Sequence, residues 1–320
     1  MNSFIEKSLR DGYGETLVEL GKKNPKIVVL DADLSGSTRT FLFAKEFPDR
    51  FFNVGVSEQD LIGTAAGLAL SGFIPFASTF AIFQTGRAWE QIRQSVCYAR
   101  LNVKLVASHG GVTVGEDGPT HHATEDIALM RVLPGMTVIV PADYFETKKV
   151  IKKIAEHEGP CYVRLARPKF PLIFDENYEF EIGKGKILKD GSDATVIAMG
   201  ITLFHSLIAS EELEKEGIKV RIINMSTVKP IDKELIIDSA KKTGVILTVE
   251  DHSIIGGLGS AVSEVIVQEY PVYQKILGVP DMFTQSGKPD ELLDRCGISS
   301  KHIKKAIYEL LKKKEKNKSF

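Results

Sequence analysis

The chain has 320 residues, a length that allows two domains of ordinary size, each with its own hydrophobic core. Hydrophobic residues make up 43% and charged residues 26%, and the formal net charge is -1, so no large electrostatic field favours nucleic acid or a membrane surface. We therefore expect small molecules or other proteins as partners.

The cysteines and the apolar segments indicate a reducing compartment. The cysteines are odd in number and widely spaced, which argues against a disulfide framework, and they are Cys97, Cys161 and Cys296. The N-terminal sequence has no apolar core of the length that a signal peptide requires, and no segment of about 18 apolar residues could span a membrane. We therefore expect a cytoplasmic protein.

Short β-branched runs alternate with segments of helical period in the first half of the chain. This alternation is typical of βα units and predicts a mainly parallel sheet. The predicted strands are 26–34, 104–111, 136–143 and 161–166, and the predicted helices are 57–72 and 87–99.

The second half repeats this rhythm after a break. Prolines, clustered acids and glycines interrupt the pattern at 176–190, which we interpret as a linker. Beyond it the predicted strands are 194–200, 220–225 and 245–251, and the predicted helices are 203–217 and 232–244. We expect an α/β protein of two domains with mainly parallel sheets, formed by residues 1–175 and the smaller 191–320.

The most polar segment of the first half is VGEDGPTHHATED, residues 114–126. It comes shortly after a predicted strand and His109, and ligands of open parallel sheets bind beyond the carboxyl ends of strands. Its glycines allow the backbone to approach a ligand, and its histidines titrate near neutrality, which suits proton transfer or binding of hydroxyls. A solvated loop tip is the alternative. A metal site is disfavoured, because His121 and His122 are adjacent and no HExxH motif or cysteine pair occurs.

Glu58 stands at the start of a predicted helix, behind a strand expected to end at Val56. Ser57 is the predicted N-cap, and Asp60 has the spacing of a capping box. A carboxylate in this position commonly complements the helix dipole. The helix also has small residues that would let a large ligand pack closely and carry Glu58 into the contact, namely Gly63, Ala65, Ala66, Gly67 and Ala69.

Two further groups are candidates for ligand binding. Phe80 and Phe83 are three residues apart, a spacing that places both on one side of a helical turn or one above the other at the entry of a loop. Aromatic pairs at this spacing serve as core or as a binding wall. Polar residues are candidates for binding an anion, and one arginine directly follows a predicted buried strand, where a guanidinium can meet a phosphate in a bidentate pair. They are Arg10, Ser37, Arg39 and Arg167.

The second domain has a glycine-rich stretch, EDHSIIGGLGSAVSEV, at 250–265. Glycines before a helix can bind an anion at its N-terminus, but the full GxGxxG pattern is absent. We interpret the stretch as a tight strand-to-helix turn that packs at a subunit contact. The remaining histidines are interpreted as structural or surface residues, and they are His157, His205, His252 and His302.

Together these features resemble the transketolase family of thiamine diphosphate enzymes, and specifically its C-terminal half. VSEQD at 56–60 and GEDGPTHH at 115–122 carry the resemblance, which extends from about Arg10 to the end of the chain. It implies a pyrimidine-binding domain followed by a smaller transketolase C-terminal domain. The implied activity is transfer of a two-carbon ketol unit between sugar phosphates, as in the pentose phosphate pathway.

The resemblance also implies a role for each candidate residue near the cofactor. Glu58 would be catalytic and would bond N1′ of the pyrimidine, favouring the tautomer whose nitrogen removes the thiazolium proton. Phe80 and Phe83 would pack against that pyrimidine, and Asp33 would contact the cofactor.

Other matches concern the sugar substrate. His109 and His121 would contact sugar hydroxyls and take part in catalysis, and Asp117 would recognise the C2 hydroxyl of the donor. The residues that would hold the sugar phosphate are Arg10, Ser37 and Arg167.

One position departs from the family pattern. A third aromatic residue of many transketolases is replaced by Gly86 here. Stacking on the pyrimidine would then be thinner, or Arg87 or Trp89 would fill the gap.

The chain lacks the GDG motif that, with a later asparagine, holds Mg²⁺ and the diphosphate in full-length members. The resemblance therefore implies a separate N-terminal subunit that supplies these ligands, with no metal ligand on this chain. Two copies of each subunit would form a heterotetramer around a homodimer of this chain. The isolated chain is expected to be an inactive dimer that binds thiamine diphosphate weakly.

Three other interpretations stay open. Deoxyxylulose-phosphate synthase shares the domain order and the DGPTHH element, although it is normally one long chain. The β-subunit of a 2-oxoacid dehydrogenase has a similar length and needs a partner, but lacks a GEDGPTH loop of this kind. The chain could also be a regulatory subunit that keeps the fold without catalysis.

Overall fold

The computed structural model describes residues 4–318, with side chains described through residue 316. The strands are β1 (Glu6–Ser8), β2 (Ile27–Asp31), β3 (Phe51–Asn53), β4 (Ile74–Phe80), β5 (Lys104–Ser108), β6 (Thr137–Ile139), β7 (Cys161–Arg164), β8 (Lys169–Pro171), β9 (Lys186–Lys189), β10 (Ala194–Ala198), β11 (Val220–Asn224), β12 (Thr227–Lys229), β13 (Val245–Ser253) and β14 (Tyr273–Val279). The α-helices are α1 (Leu9–Lys23), α2 (Ser35–Thr38), α3 (Phe41–Glu46), α4 (Glu58–Leu70), α5 (Ala81–Arg87), α6 (Trp89–Gln91), α7 (Asp126–Arg131), α8 (Tyr144–Glu156), α9 (Thr202–Glu214), α10 (Lys233–Thr243), α11 (Leu258–Glu269), α12 (Pro289–Arg295) and α13 (Ser300–Lys318). Between them lie 3₁₀ helices at Pro48–Arg50 and Val112–Asp117 and a π-helical segment at Ile92–Tyr98.

The larger sheet belongs to the first domain and positions the candidate site. Its strand order is β12-β6-β7-β5-β4-β2-β3, and every neighbouring pair is parallel except β12 with β6. The strands β2, β5 and β7 are buried along their whole length, as expected of parallel strands whose two faces are both covered. Parallel strands end at the same edge of a sheet, so the segments that follow them meet there.

The second sheet belongs to the C-terminal domain. Its order is β14-β13-β10-β11-β9, with β9 antiparallel to β11 and the other pairs parallel. The short strands β1 and β8 form a separate antiparallel pair. β12 follows β11 in the chain but pairs with β6 at the edge of the larger sheet. The second domain therefore contributes one strand to the sheet of the first. The expected α/β fold of two domains with mainly parallel sheets is confirmed.

The strand pattern differs from the sequence prediction, which lacks β1, β4, β8, β9, β12 and β14. β4 is a central strand, although Pro75 and the Ser78-Thr79 pair interrupt the apolar run that would have predicted it. Its neighbours β2 and β5 bury it, which the local sequence does not reveal. Residues 186–189 of the predicted linker form β9, an edge strand that begins and ends with lysine. Edge strands bury little surface, so their hydrophobic pattern is weak.

Glu146 is a buried residue of the first domain that forms a hydrogen bond with the second domain. It is fully buried in α8 and accepts hydrogen bonds from the Tyr178 hydroxyl at 2.9 Å and from Asn224 Nδ2 at 2.7 Å. Its other oxygen accepts a hydrogen bond from the amide of Ala142 at 2.6 Å. Burial is the main reason that the pKa of Glu146 rises to about 7, so this carboxyl group is partly protonated near neutrality while it ties α8 to β11.

The basic run near the C-terminus belongs to the long helix α13. Ile303, Ala306, Ile307 and Leu310 are buried along one side of this helix, which packs against α9 and β13. The helix is therefore part of the second domain. No helix between residues 4 and 318 combines the length and the apolar composition that crossing a bilayer requires.

Candidate functional site

Four strand ends bring predicted site residues to one edge of the larger sheet. Glu58 follows β3 at the start of α4, and Phe80 is the last residue of β4. His109 directly follows β5, and Arg167 comes shortly after β7. This edge is where open parallel sheets bind their ligands.

Glu58 is buried although it is acidic. Its side chain is 6% exposed, and Oε1 accepts a hydrogen bond from Arg87 Nη1 at 2.9 Å. α4 begins at Glu58, as the sequence predicts, but the preceding strand ends earlier than expected and the Ser57 side chain makes no capping hydrogen bond. The predicted capping box is therefore wrong, and Asp60 instead accepts a hydrogen bond from Thr64 within the helix. The Glu58 carboxylate therefore forms an ion pair with Arg87 and takes no part in a capping box.

Arg87 follows Gly86, the position where the resemblance implies a third aromatic residue, and it lies over one ring of the aromatic pair. Its guanidinium lies 4.2 Å from the ring centroid of Phe83. Gly86 is exposed, and no atom lies within 4 Å of the position that a β-carbon would take. Trp89 points elsewhere, because its Nε1–H donates to a backbone carbonyl of α7 at 2.9 Å. Of these two residues, Arg87 lies over Phe83 and Trp89 is bonded to α7, and the sequence did not reveal the ion pair of Arg87 with Glu58.

Phe80, Phe83, His109 and His121 form an aromatic cluster. The centroids of the two phenylalanine rings are 5.9 Å apart, with planes 18° from parallel. His109 stacks on Phe80 at 3.7 Å, and the ring of His121 meets Phe83 at 5.2 Å with a steep interplanar angle of 73°. Phe80 ends β4 and Phe83 lies in α5, so the pair meets at a strand-to-helix junction, and of the two arrangements that the spacing allowed it is not the one within a single helical turn.

His109 is a buried imidazole in an uncommon backbone conformation. Its φ is +61°, and the residue is 3% exposed. Desolvation by burial lowers the pKa of His109 to about 3, and the charges of Arg10 and Arg167 act in the same direction. His109 is therefore neutral near pH 7, contrary to the expectation of a group that titrates near neutrality. It can donate and accept hydrogen bonds, and Nδ1 bonds Ser108 Oγ at 2.8 Å.

The burial of neutral His109 is expected to destabilise the folded chain at acid pH. Its pKa is about 3 when folded, against an ordinary value of 6.5, so below pH 6.5 the unfolded chain binds a proton that the folded chain does not. We expect this histidine to remove roughly 1–2 kcal/mol of the free energy of unfolding between pH 6.5 and pH 5. His109→Asn should remove that loss, because asparagine tolerates a positive φ and does not titrate.

Urea unfolding at several pH values and one protein concentration measures this effect. His302→Asn, a change at a half-exposed histidine of the second domain, serves as the control. Equal losses of stability in the unmodified chain and in His109→Asn would contradict the prediction.

Arg10, Arg39 and Arg167, hereafter the arginine cluster, lie near the aromatic cluster. Arg10 donates hydrogen bonds to the carbonyl of Ser37 at 2.7 Å and to the carbonyl of Arg167 at 2.8 Å, so the three predicted phosphate-binding residues are adjacent. Nε of Arg10 is buried and has no hydrogen-bond partner within the described residues. Burial lowers the pKa of Arg10, and the charge of Arg39 lowers it further. A bound anion would offset this repulsion and accept from the free donor.

Arg167 connects the arginine cluster to residues 110–122, hereafter the histidine loop. Its Nη1 donates to the carbonyl of Val114 at 2.6 Å and to Glu116 Oε2 at 3.2 Å. Its Nη2 lies 4.0 Å from Asp117 Oδ1. Asp117 therefore lies next to the arginine that is predicted to bind phosphate.

Asp33 lies at the same sheet edge but contacts β3. Its φ is +64°, its carboxylate accepts from Asn53 Nδ2 at 2.9 Å, and its amide donates to Asn53 Oδ1 at 3.1 Å. Nearby, the buried Asp31 accepts hydrogen bonds from Thr38 at 2.7 Å and Thr40 at 2.8 Å, a network that the sequence did not reveal. Within the described residues, Asp33 is thus joined to β3 and not to the aromatic cluster.

His122 points away from His121. Its Nε2 lies 3.0 Å from the carbonyl of Gly115, and its Nδ1 lies 2.5 Å from Thr284 Oγ1. His121 instead bonds Thr120 through Nδ1 at 2.9 Å. The two rings have different partners and do not face one ion. In the described part of the chain, no group of three or more His, Cys, Asp or Glu residues is placed to hold a metal ion.

In the glycine-rich stretch 250–265 of the second domain, the space at the start of α11 is occupied by the side chain of Glu250. Glu250 accepts hydrogen bonds from the amides of Leu258 at 2.7 Å and Gly259 at 2.8 Å, which are the first residues of α11. A β-carbon at Gly257 would lie 1.9 Å from Glu250 Oε2. Burial raises the pKa of Glu250 to about 7. The turn packs around an internal carboxyl group, as the tight-turn interpretation expects.

The small residues of α4 lie on two sides of the helix. Ala65 and Ala66 are buried, whereas Gly63 and Gly67 are exposed, with no atom within 4 Å of a β-carbon at either position. The prediction of one small face is therefore wrong, because residues four apart share a face and residues one or two apart do not. Leu70 continues the exposed strip and is 74% exposed.

Sequence comparison identifies relatives of both domains. Residues 6–171 match the pyrimidine binding domain of transketolase, and residues 183–303 match the transketolase C-terminal domain. A Methanocaldococcus jannaschii protein named for the C-terminal section of transketolase is 55% identical over 315 residues, which cover 97% of this chain and 98% of that protein. The 6-deoxy-6-sulfo-D-fructose transketolase subunit SqwH of a Clostridium species is 42% identical over 309 residues, with 97% and 96% covered. Human transketolase is 41% identical over 308 residues, which cover 95% of this chain and 49% of that protein.

Solved structures give the same result. A split-gene transketolase described as an inactive β4 tetramer aligns with a TM-score of 0.90 and 52% identity, covering 95% of this chain and 98% of that chain. Transketolase of Campylobacter jejuni shares the fold, with a TM-score of 0.82 and 23% identity over 95% of this chain and 47% of that chain. The chain thus spans nearly the whole length of its split relatives and about half of the full-length enzymes. From the matches to both domains and the identity to these relatives, the chain belongs to the transketolase family.

Proposed function

We propose that this chain is the C-terminal subunit of a split transketolase. Together with a separate N-terminal subunit, it would transfer a two-carbon ketol unit between sugar phosphates. The observation that carries the proposal is the edge of the larger sheet, where a buried carboxylate, an aromatic cluster and an arginine cluster lie side by side. Similarity to split transketolases along their whole length supports the division into two subunits.

Thiamine diphosphate is the proposed cofactor, and the residues present fit its pyrimidine end. Glu58 is a buried carboxylate with one oxygen in an ion pair, and the arginine of that pair lies over the half-exposed ring of Phe83. The bound cofactor would supply an acidic thiazolium carbon for reaction with the ketose carbonyl. Glu58 would hold a proton at N1′ of the pyrimidine, which requires Arg87 to give up or share its hydrogen bond. Asp33 would contact the cofactor from the end of β2.

The substrate would lie between the two clusters. Neutral His109, together with His121, would donate and accept hydrogen bonds at the sugar hydroxyls, and Asp117 would bond the C2 hydroxyl of the donor. The cluster of positive charge would hold the sugar phosphate, through Arg10, Ser37 and Arg167. Nε of Arg10 supports this role, since a buried donor without a partner costs free energy until a ligand accepts its hydrogen bond.

The proposed partner is an N-terminal subunit that holds Mg²⁺ and the diphosphate. The absence of a GDG motif from this sequence supports that assignment. The exposed strip of Gly63, Gly67 and Leu70 is open to a second copy of the chain, which supports a homodimer at the centre of a heterotetramer. The inactive β4 assembly of a related split chain agrees with a subunit that assembles with itself but does not work alone. We propose a cytoplasmic enzyme, in which the buried cysteines stay as thiols.

Reconstitution tests the proposal. The chain alone is expected to show no ketol transfer, and addition of the N-terminal transketolase subunit from the same organism should restore transfer from xylulose 5-phosphate to ribose 5-phosphate. Pyruvate with glyceraldehyde 3-phosphate is the control pair, since its conversion would indicate a deoxyxylulose-phosphate synthase. Oxidative decarboxylation of a 2-oxoacid would indicate a dehydrogenase subunit. Full ketol transfer by this chain alone would refute the split arrangement.

A further inference from the structure

The histidine loop is held by an aspartate of the second domain. Asp251, on β13, accepts a hydrogen bond from the amide of Val112 at 2.9 Å through Oδ1. Its Oδ2 accepts one from the Thr113 hydroxyl at 2.9 Å. All three residues are buried, and Asp251 is 139 positions away from Val112 in the chain. A buried carboxylate that accepts several hydrogen bonds fixes the groups that donate them.

Two glycines of the loop make this contact possible. Gly111 has a φ of +79°, and a β-carbon there would lie 2.1 Å from Asp251 Oδ2. Gly118 has a φ of +78°, and a β-carbon there would lie 2.5 Å from Ser286 Oγ. Both positions need glycine for the backbone conformation and for the close approach of the second domain.

A second contact reaches the end of the loop. His122 is 3% exposed, and a carbonyl oxygen only accepts, so Nε2–H of His122 donates to Gly115. Nδ1 of His122 forms a hydrogen bond with the Thr284 hydroxyl at 2.5 Å. This arrangement fixes the direction of His122. His121 is the preceding residue, so the backbone segment held in this way also carries His121, whose ring meets Phe83 at 5.2 Å.

The chain that follows the loop is anchored to the same strand. Arg164 donates from Nη2 to the carbonyl of Asp251 at 2.6 Å and to the carbonyl of Ala123 at 3.2 Å. The amide of Ser253 donates to the carbonyl of Thr124 at 2.8 Å. The second domain therefore contacts the beginning, the middle and the end of the loop region.

We infer that the C-terminal domain sets the conformation of the histidine loop, and that Asp251 and Thr284 are positioning residues for His121. The inference rests on the proposed function for its catalytic consequence, but its structural part does not. Asp251 holds the first residues of the loop by its carboxylate, and Thr284 holds His122 by its hydroxyl. Without these two side chains, the loop would adopt several conformations, and His121 would no longer be held in contact with the aromatic cluster.

Hydrogen exchange of the isolated chain tests the structural part. Thr284→Val removes the hydroxyl at constant shape, whereas Thr284→Ser keeps it, and Asp251→Asn removes one of the two carboxylate acceptors. Amides of residues 112–122 are expected to exchange roughly tenfold faster in Thr284→Val and Asp251→Asn. Thr284→Ser and the exposed change Asp281→Asn should leave them as in the unmodified chain. If Asp251→Asn loosens the whole domain, the Thr284 pair decides the result, because that side chain is half-exposed.

Unchanged exchange of the loop in Thr284→Val would overturn the inference whatever the chain does as an enzyme. The second measurement uses the complex reconstituted with the N-terminal subunit. There kcat should fall about tenfold in Thr284→Val and recover in Thr284→Ser, while the KM for the sugar phosphate changes little. Faster exchange with an unchanged kcat would overturn the positioning role. Faster exchange in a complex that shows no ketol transfer even before mutation would support the structural contact and count against the proposed function instead.

Discussion

Replacing Glu58 with glutamine is expected to lower the kcat of the reconstituted complex by about 10²–10⁴-fold while assembly is retained. Glutamine keeps the shape of the side chain and can still accept the hydrogen bond that Arg87 donates. It cannot hold a proton for the pyrimidine nitrogen, so the loss should fall on turnover and not on folding. Steady-state kinetics at saturating cofactor would measure the change, and sedimentation would confirm that the complex forms.

Asp60→Asn is the matched control for Glu58. Asp60 lies in the first turn of the same helix but is exposed, so loss of its charge should leave kcat within about twofold of the unmodified complex. A turnover for Glu58→Gln as high as that of the control would favour the regulatory interpretation, in which the fold is kept without catalysis. It would also remove the reason to place a pyrimidine beside the aromatic cluster.

Replacing Arg10 is expected to raise the KM for sugar phosphates by roughly 10–100-fold. Arg10 lies between the carbonyls of Ser37 and Arg167 and has a buried donor without a partner, so a phosphate would gain charge-assisted hydrogen bonds there. Arg10→Met removes the charge at similar length. Arg10→Lys keeps the charge and loses the planar fork, so its KM should lie between those of Arg10→Met and the unmodified chain.

An unphosphorylated ketol donor such as hydroxypyruvate is the control substrate for Arg10. Its KM should change little, because it has no phosphate for the arginine cluster to bind. A similar rise in KM for both donors would mean that Arg10 supports the fold of the site and does not bind phosphate. Thermal unfolding of Arg10→Lys, measured in parallel, would reveal such a structural loss directly.

Much of the candidate site could be predicted from short motifs, because parallel strands collect the segments after them at one edge. Glu58 and His109 each follow a strand of the larger sheet, and both lie at this edge in the structure. The details of their surroundings could not be predicted. The partner of Glu58 is Arg87, which is 29 positions away in the chain, and its approach depends on how α4 and α5 pack.

For His109, too, the position could be predicted from the sequence but the surroundings could not. Its place after β5 follows from local sequence, but its pKa depends on burial against Phe80 and on charges contributed by α1 and by the segment after β7. Local sequence could not reveal these neighbours. It therefore suggested a titrating histidine where the folded chain has a neutral one.

The sequence by itself determined the α/β class, the alternation of strands and helices, and the residue types that the site requires, because these follow from local periodicity and from short motifs. Only the tertiary structure decided which of these residues touch. Asp251 contacts the histidine loop, β12 joins the sheet of the other domain, and Arg87 lies over the ring of Phe83. Each of these contacts depends on strand order, register and domain packing. These bring together residues that are far apart in the chain, and the local sequence around one such residue carries no information about the other.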